Sequence, residues 1–154
     1  MGVDPKKMLM ESRWISVQLE QITDRGLALQ GFTTAQANVL LYILHHADHG
    51  TSLTAMHREF GYSMPSLCSI LKRLRQNGHV RVEPCPGDER RKLLYPTGQA
   101  EALGPFLEEA LSSSFRRIYR GFSDEELQEL DRLQKKMVEN LGVPGGTSHP
   151  CQEA

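Results

Sequence analysis

A mainly α chain carrying one small β-hairpin is predicted by three features of the sequence. Six segments repeat apolar residues at helical spacing, most of them behind a capping residue; one segment alternates with period two; and Gly or Pro-Gly punctuates the joints. The 154 residues suffice for one domain with a real core plus long accessory helices. Hydrophobic residues at 39% and charged residues at 24% fall in the usual soluble range.

Asp4 before Pro5 reads as an N-cap with proline at the first helical position. Met8, Ile15, Leu19 and Ile22 then carry a helix to about Arg25, where Gly26 is expected to stop it. Thr33 and Gln36 form a capping box that opens a second helix near Thr34, with Val39, Leu40, Ile43 and Leu44 turned inward. Gly50, Thr51 and Ser52 connect it to a two-turn helix, Leu53 to Phe60, ended by Gly61. Ser63 caps the next helix, where Leu67, Ile70, Leu71 and Leu74 follow the i, i+3, i+4, i+7 pattern and Gly78 closes the segment. From His79 to Glu83 the period changes to two, with Arg91 to Tyr95 as the hairpin partner and Pro84 to Arg90 as the loop. Thr97 caps a long helix to about Arg120, with Leu103, Phe106, Leu107, Ala110, Leu111, Phe115 and Ile118 on its apolar stripe. Ser123 and Glu126 form a second capping box before Leu127, Leu130, Leu133, Met137 and Leu141, and the residues after Val143 read as a flexible tail.

Two short helices joined at Gly61-Tyr62-Ser63 and followed at once by a hairpin make a helix-turn-helix with a wing. The charge is placed to match. From Lys72 to Lys92 there are seven bases (Lys72, Arg73, Arg75, Arg81, Arg90, Arg91, Lys92) and three acids, a local excess of +4 in a chain of net charge −1. With Leu67, Ile70, Leu71 and Leu74 inward, Ser66, Ser69, Arg73 and Gln76 lie along the other side of that helix. Small hydroxyls let a helix backbone sink into a major groove, and Arg or Lys supply charge and bidentate readout of guanine. The same face also fits an ordinary solvated helix surface, and the loop Pro86-Gly87-Asp88-Glu89-Arg90 an ordinary charged hairpin tip.

Beyond that pattern, the stretch from Phe32 to Gly98 resembles the MarR family of winged-helix transcription regulators. Phe32-Thr33-Thr34-Ala35-Gln36 is similar to the family's entry to its second helix, and Met56 to Gly61 to its Leu-Ala-x-x-Leu-Gly turn. Ser63-Met64-Pro65-Ser66-Leu67 resembles the opening of the recognition helix, and Leu71-Lys72-Arg73-Leu74 with Gly78 the approach to the wing. Asp88 to Thr97 follows the spacing of the wing signature Asp-x-Arg-x-Lys, and Phe122 to Leu127 the start of the last helix. Against the family pattern, His57 replaces a small alanine, Leu67 is bulkier than valine, Ser69 stands where many members have arginine, and Pro96 replaces leucine, which shortens the last strand's pairing.

What the resemblance implies is a winged helix-turn-helix flanked by N- and C-terminal dimerisation helices. The divisions expected are 1–31 (first dimerisation helix), 32–98 (DNA-binding domain), 99–142 (C-terminal dimerisation helices) and 143–154 (tail). It implies a sequence-specific regulator of double-stranded DNA: a homodimer on a pseudo-palindromic operator, with recognition helices in successive major grooves roughly 34 Å apart, acting as a ligand-relieved repressor. Carried over by position, Ser63, Ser66, Ser69 and Lys72 approach phosphates and base edges, Arg90 enters the minor groove, and Arg73 and Arg91 complete the set. Asp88 is expected to brace the wing by pairing with arginine, Arg73 being the expected partner. Arg13, Trp14, Tyr42 and His46 are expected to line a small-molecule effector cleft between the dimer helices and the winged domain; Trp14 equally fits the dimer core.

Other chemistries find less support. His45 and His49 stand one turn apart and invite a metal reading, but the helix after the wing holds no further His or Cys, so no metal or other cofactor is expected. Cys68, Cys85 and Cys151 are odd in number, widely spaced and without a CxxC pair, and read as free thiols. A metal- or redox-responsive variant of the regulator, or a winged helix serving as a protein-interaction module, stays open as an alternative. No phosphate-cradling glycine loop, His-Glu-x-x-His or nucleophile flanked by bases supports an enzyme. The longest apolar run, Val39 to Leu44, is too short for a bilayer and the first residues lack a signal h-region, so a cytoplasmic location is expected, with no membrane partner.

Overall fold

The computed structural model describes residues 2–142, so the tail expected over 143–154 lies outside the described residues. Helix α1 (Pro5–Leu27) leads through a short 3-10 turn (Ala28–Gln30) to α2 (Thr34–His45), α3 (Leu53–Phe60) and α4 (Met64–Gln76). Strands β1 (Val80–Cys85) and β2 (Asp88–Pro96) follow, then α5 (Gly98–Ile118) and α6 (Asp124–Asn140). The order is the one the caps and periods predict. Both capping boxes form, with Gln36 N–H donating to Thr33 Oγ1 at 3.2 Å and Glu126 N–H to Ser123 Oγ at 3.1 Å.

The first helix runs past the expected stop. Gly26 lies inside α1 with helical backbone, and a Cβ there would stand 3.9 Å from that of Ala110, an ordinary packing distance. The reversal falls instead at Gly31, which holds φ 76°, a left-handed conformation costly for residues with a Cβ. Thr23 Oγ1 and Ser114 Oγ share a buried hydrogen bond of 2.6 Å, fixing α1 against α5 a turn before Gly26.

The core gathers on α2, whose Val39, Leu40 and Ile43 are completely buried against Leu27, Met56, Leu67, Leu74 and Leu107 from the surrounding helices and Leu94 from the hairpin. Each such side chain contributes roughly 1.5–3 kcal/mol by leaving water. This apolar seat fixes α4 by its Leu67, Leu71 and Leu74 face and so decides which of its residues face outward.

The hairpin is longer than its alternation suggested. Both strands run on toward the tip, and the loop expected over Pro84 to Arg90 shrinks to a turn at Pro86-Gly87, where Gly87 holds φ 81°. Proline followed by a positive-φ glycine is the chemistry of a type II turn. A register shift between Pro84 and Cys85 absorbs the proline, which has no N–H to offer the ladder. Cys85, 5% exposed, is disulfide-bonded, which corrects the free-thiol reading at that position; Cys68 remains a free, exposed thiol. At the hairpin's base Thr51 and Leu94 exchange backbone hydrogen bonds of 3.2 and 2.8 Å, so the α2–α3 connection docks on β2 as a one-residue third strand.

Candidate nucleic-acid interface

Ser63 stands at the N-cap of α4, its Oγ accepting the Ser66 N–H at 3.2 Å and donating to Ser66 Oγ at 2.9 Å. The hydroxyl that sequence reasoning assigned to an outside partner therefore also holds the helix start. Ser66, Ser69, Lys72 and Arg73 are all exposed on α4, with Ser63, Ser66, Ser69 and Lys72 on one i, i+3 row. The joint before them is tied from two sides: Asn38 Nδ2 donates to Tyr62 Oη at 3.1 Å, and His57 Nδ1 donates to the Tyr62 carbonyl at 2.6 Å. His57 thus fills no alanine-sized space in the core; it is exposed and clamps the turn.

Arg90 and Arg91 lie exposed near the tip of β2. Asp88 Oδ1 accepts the Arg90 backbone N–H at 3.1 Å, so the carboxylate stiffens the turn through the main chain of the arginine it precedes. No ion pair joins Asp88 to Arg73 among the described residues; the two stand on separate elements and Asp88 acts locally. Of the seven bases, Arg81 is engaged elsewhere, ion-paired with Glu83 and with its guanidinium 4.7 Å from the centre of the Tyr95 ring.

Between α4 and the wing runs a cleft of about 600 Å³ with Leu53, Leu71, Val82 and Leu94 on its floor and Lys72, Arg75 and Lys92 on its rim. Arg75 and Lys92 belong with the site yet were not singled out from the sequence. The local charge census contained both; only the hairpin's register, which puts Lys92 opposite Pro84, brings Lys92 beside α4. Cationic side chains from a helix and a strand thus converge on one face, beside a row of small hydroxyls. That combination can hold phosphates and admit a nucleic-acid groove.

The residues expected to line an effector cleft fall into two pairs. Arg13 and Trp14 share a groove of about 400 Å³ with Met10 and Val17, and Trp14 is 63% exposed. Tyr42 and His46 stack with ring centres 4.1 Å apart, Phe60 meeting Tyr42 edge-on at 5.5 Å, and His46 Nδ1 donates to the Tyr42 carbonyl at 2.7 Å. Burial raises the Tyr42 phenol above its ordinary range, keeping it a neutral hydroxyl. The groove along α1 does not reach Tyr42 or His46. His45 Nε2 is 2.7 Å from Glu108 Oε1, linking α2 to α5, and no cluster of three metal-ligating side chains occurs among the described residues.

Residues 30–91, the segment containing the second helix, the turn, α4 and most of the hairpin, match the model of the MarR family. That segment is similar to the winged helix of MarR-family proteins. MarR family members are transcription regulators and not enzymes. Solved MarR-type structures share the fold over nearly the whole chain. A MarR protein from Peptoclostridium difficile superposes with a TM-score of 0.80 at 20% identity, covering 92% of this chain and 91% of that one. The transcriptional regulator SlyA gives 0.79 at 18% identity (87% and 93%), and MepR of S. aureus, solved as a DNA complex, 0.77 at 20% identity (84% and 92%). The MarR resemblance read from the wing and caps is thereby confirmed at the level of fold. No single helix among the described residues is long and apolar enough to cross a membrane.

Proposed function

We propose that this chain is a sequence-specific regulator of transcription that reads double-stranded DNA with α4 and the β1–β2 wing. The observation that carries the reading is the cationic rim of the cleft between α4 and the wing, Lys72 and Arg75 from the helix with Lys92 from β2, with Ser66, Ser69 and Arg73 exposed on α4 and Arg90 and Arg91 exposed toward the wing's tip. Ser63 joins the row as cap and contact. MepR of S. aureus and a Listeria monocytogenes MarR family regulator, the latter with 26mer DNA, are solved as DNA complexes, which supports the same use of the fold here.

The protein works as a homodimer on a pseudo-palindrome, represses, and is relieved by a small molecule. Support for the dimer comes from apolar side chains left exposed on the terminal helices: Met8, Leu9, Trp14 and Ile15 on α1, Phe115 on α5, and Met137 and Leu141 on and just beyond α6. A monomer seldom leaves that much aligned apolar surface in water. On this reading 1–31 and 99–142 are the dimerisation segments and 32–98 the DNA-binding domain. The exposed groove at Arg13 and Trp14 suits an anionic aromatic effector lodged at the edge of that interface, and the protein acts in the cytoplasm.

Replacing Arg90 by alanine is expected to weaken operator binding by about 1 kcal/mol, the scale of one charge-assisted contact, and to flatten the dependence of log K on log salt by about one ion. Fluorescence anisotropy of a labelled fragment from the DNA flanking its own gene, across a salt series, measures both. An Arg90→Ala protein that binds as tightly as the wild type at moderate salt removes the wing from the interface. Binding of the wild type that ignores salt would point to a protein partner instead.

A further inference from the structure

His79 sits where α4, the wing and α5 meet. Its N–H donates to the Leu74 carbonyl in the last turn of α4 at 2.9 Å, and its carbonyl accepts the N–H of Thr97, the N-cap of α5, at 3.1 Å. Thr97 Oγ1 donates in turn to the Gly78 carbonyl at 2.6 Å, so three elements share one two-residue joint. The imidazole is 7% exposed, lies 5.4 Å from Phe32 between ring centres, and has a buried Nδ1 without a hydrogen-bond partner. Buried polar atoms are nearly always paired, so an orphan at a joint of this kind calls for a reason.

Among the described residues, nothing charged lines the hollow beside the ring. The hollow of about 530 Å³ that it borders is lined by Gln30 and Phe32 from the α1–α2 connection, Asn77 from the end of α4, and Gln99, Ala102 and Leu103 from α5. The nearest ionisable groups along those elements, Arg25 on α1, Arg75 on α4, Arg81 on β1 and Glu101 on α5, are exposed and stand outside that lining; β2 brings Pro96 opposite Val80. No carboxylate is at hand to accept a proton-bearing Nδ1 or to balance an imidazolium.

We propose that His79 is a proton-operated switch: the neutral ring holds α4 and the wing in register with α5, and protonation releases them. Its consequence for DNA rests on the regulator reading above; its consequence for the joint does not. A charge forced onto a buried ring with no carboxylate beside it to balance the charge is disfavoured, so the proton is taken up preferentially by forms in which the ring has left its seat. Burial accordingly lowers the His79 pKa below its ordinary 6.5. The sign follows from linkage. Opened and unfolded forms bind more protons in that range, so the closed joint is fully stabilised above pH 6.5 and loses stability as pH falls below it toward the depressed folded value. Because apparent affinity scales with the fraction of molecules in the competent form, operator binding declines with the joint.

The test compares the full-length wild type with His79→Phe, which keeps an aromatic ring against Phe32 and cannot titrate; His79→Gln takes its place should the phenylalanine variant not fold. Three readouts are taken between about pH 7.5 and about pH 5.5, bracketing the ordinary histidine value: the NMR titration of the His79 ring, the thermal midpoint, and Kd for an operator fragment. The switch predicts a ring titrating below 6.5, a wild-type Tm that falls on acidification relative to the variant's, and a wild-type Kd that rises by about threefold or more relative to the variant's. Charge gained elsewhere on the protein is common to both chains and cancels in the comparison. A ring titrating at or above 6.5 overturns the switch, as do Tm values that shift in parallel, or Kd values that do so while Tm diverges. A wild type that binds no DNA at about pH 7.5 refutes the regulator reading, and the ring titration and the Tm difference then decide the switch alone.

Discussion

Cut after Phe122, the chain is expected to sediment as a monomer and to bind operator DNA at least about a hundredfold more weakly than the full protein, the usual loss when two linked sites become one. The reason is the unpaired apolar surface. Helix α6 has no buried residue in the single chain, and Leu133, Met137 and Val138 stand 41%, 51% and 43% exposed, in line with Phe115 and Phe122 at 52% and 45%. Burying a handful of such side chains at roughly 1.5–3 kcal/mol each supplies an association energy that losing α6 removes. A full-length protein carrying Leu133→Glu and Met137→Glu keeps good helix formers in place and should give the same result by desolvation of charge at the interface. Analytical ultracentrifugation decides the matter, and a truncated chain that stays dimeric would place the interface elsewhere.

Gly50→Ala is expected to destabilise the fold by about 2–4 kcal/mol, combining an alanine held at positive φ with a side chain pressed into a packed ring. Gly50 has φ 77°, is buried, and a Cβ built on it would stand 2.7 Å from Tyr95 Cζ. The ring has little freedom to move aside. Its hydroxyl donates to the His49 carbonyl at 3.2 Å, Arg81 stacks on it, and the next residue, Thr51, is paired with Leu94. Urea unfolding measures the loss. A change below about 1 kcal/mol, the scale of an ordinary exposed substitution, would mean that the connection yields more easily than its geometry implies.

Gly50 also marks the limit of what was legible in the sequence. The helices were legible because their causes are local: Thr33 with Gln36 and Ser123 with Glu126 announce their own starts, and the leucine spacing of α4 states which side is buried. Gly26 misled because a glycine carried in helical conformation inside a helix looks the same in one dimension as a glycine that ends one; the positive φ that marks the reversal is at Gly31. The hairpin loop was drawn too long because strand pairing near the tip depends on its partner and survives Pro84 through a register shift. Among the site residues, the exposed row on α4 followed from its period alone. Arg75 and Lys92 did not, since their neighbourhood is made by the folding of the wing back on the helix. Asp88 was expected to reach across to Arg73, but a carboxylate two residues from an open N–H satisfies it at far less loss of freedom.

The hydrogen-bonded pair of Thr51 and Leu94 has a bearing on how the molecule acquires its shape. The pair closes a long loop that contains α3, α4 and β1, and loop closure of that length lowers chain entropy before any other contact offsets it. Helices α3 and α4 form from neighbours in the sequence and meet across the Gly61-Tyr62-Ser63 joint, whereas the base of the wing waits for residues more than forty positions apart to find each other. Helix α4 is therefore assembled from near neighbours, and the base of the wing is fastened to the α2–α3 connection later. Gly50 and Tyr95 flank that distant pair, so a change at either loosens the docking of the wing's base on the α2–α3 connection while the locally paired tip keeps its own register.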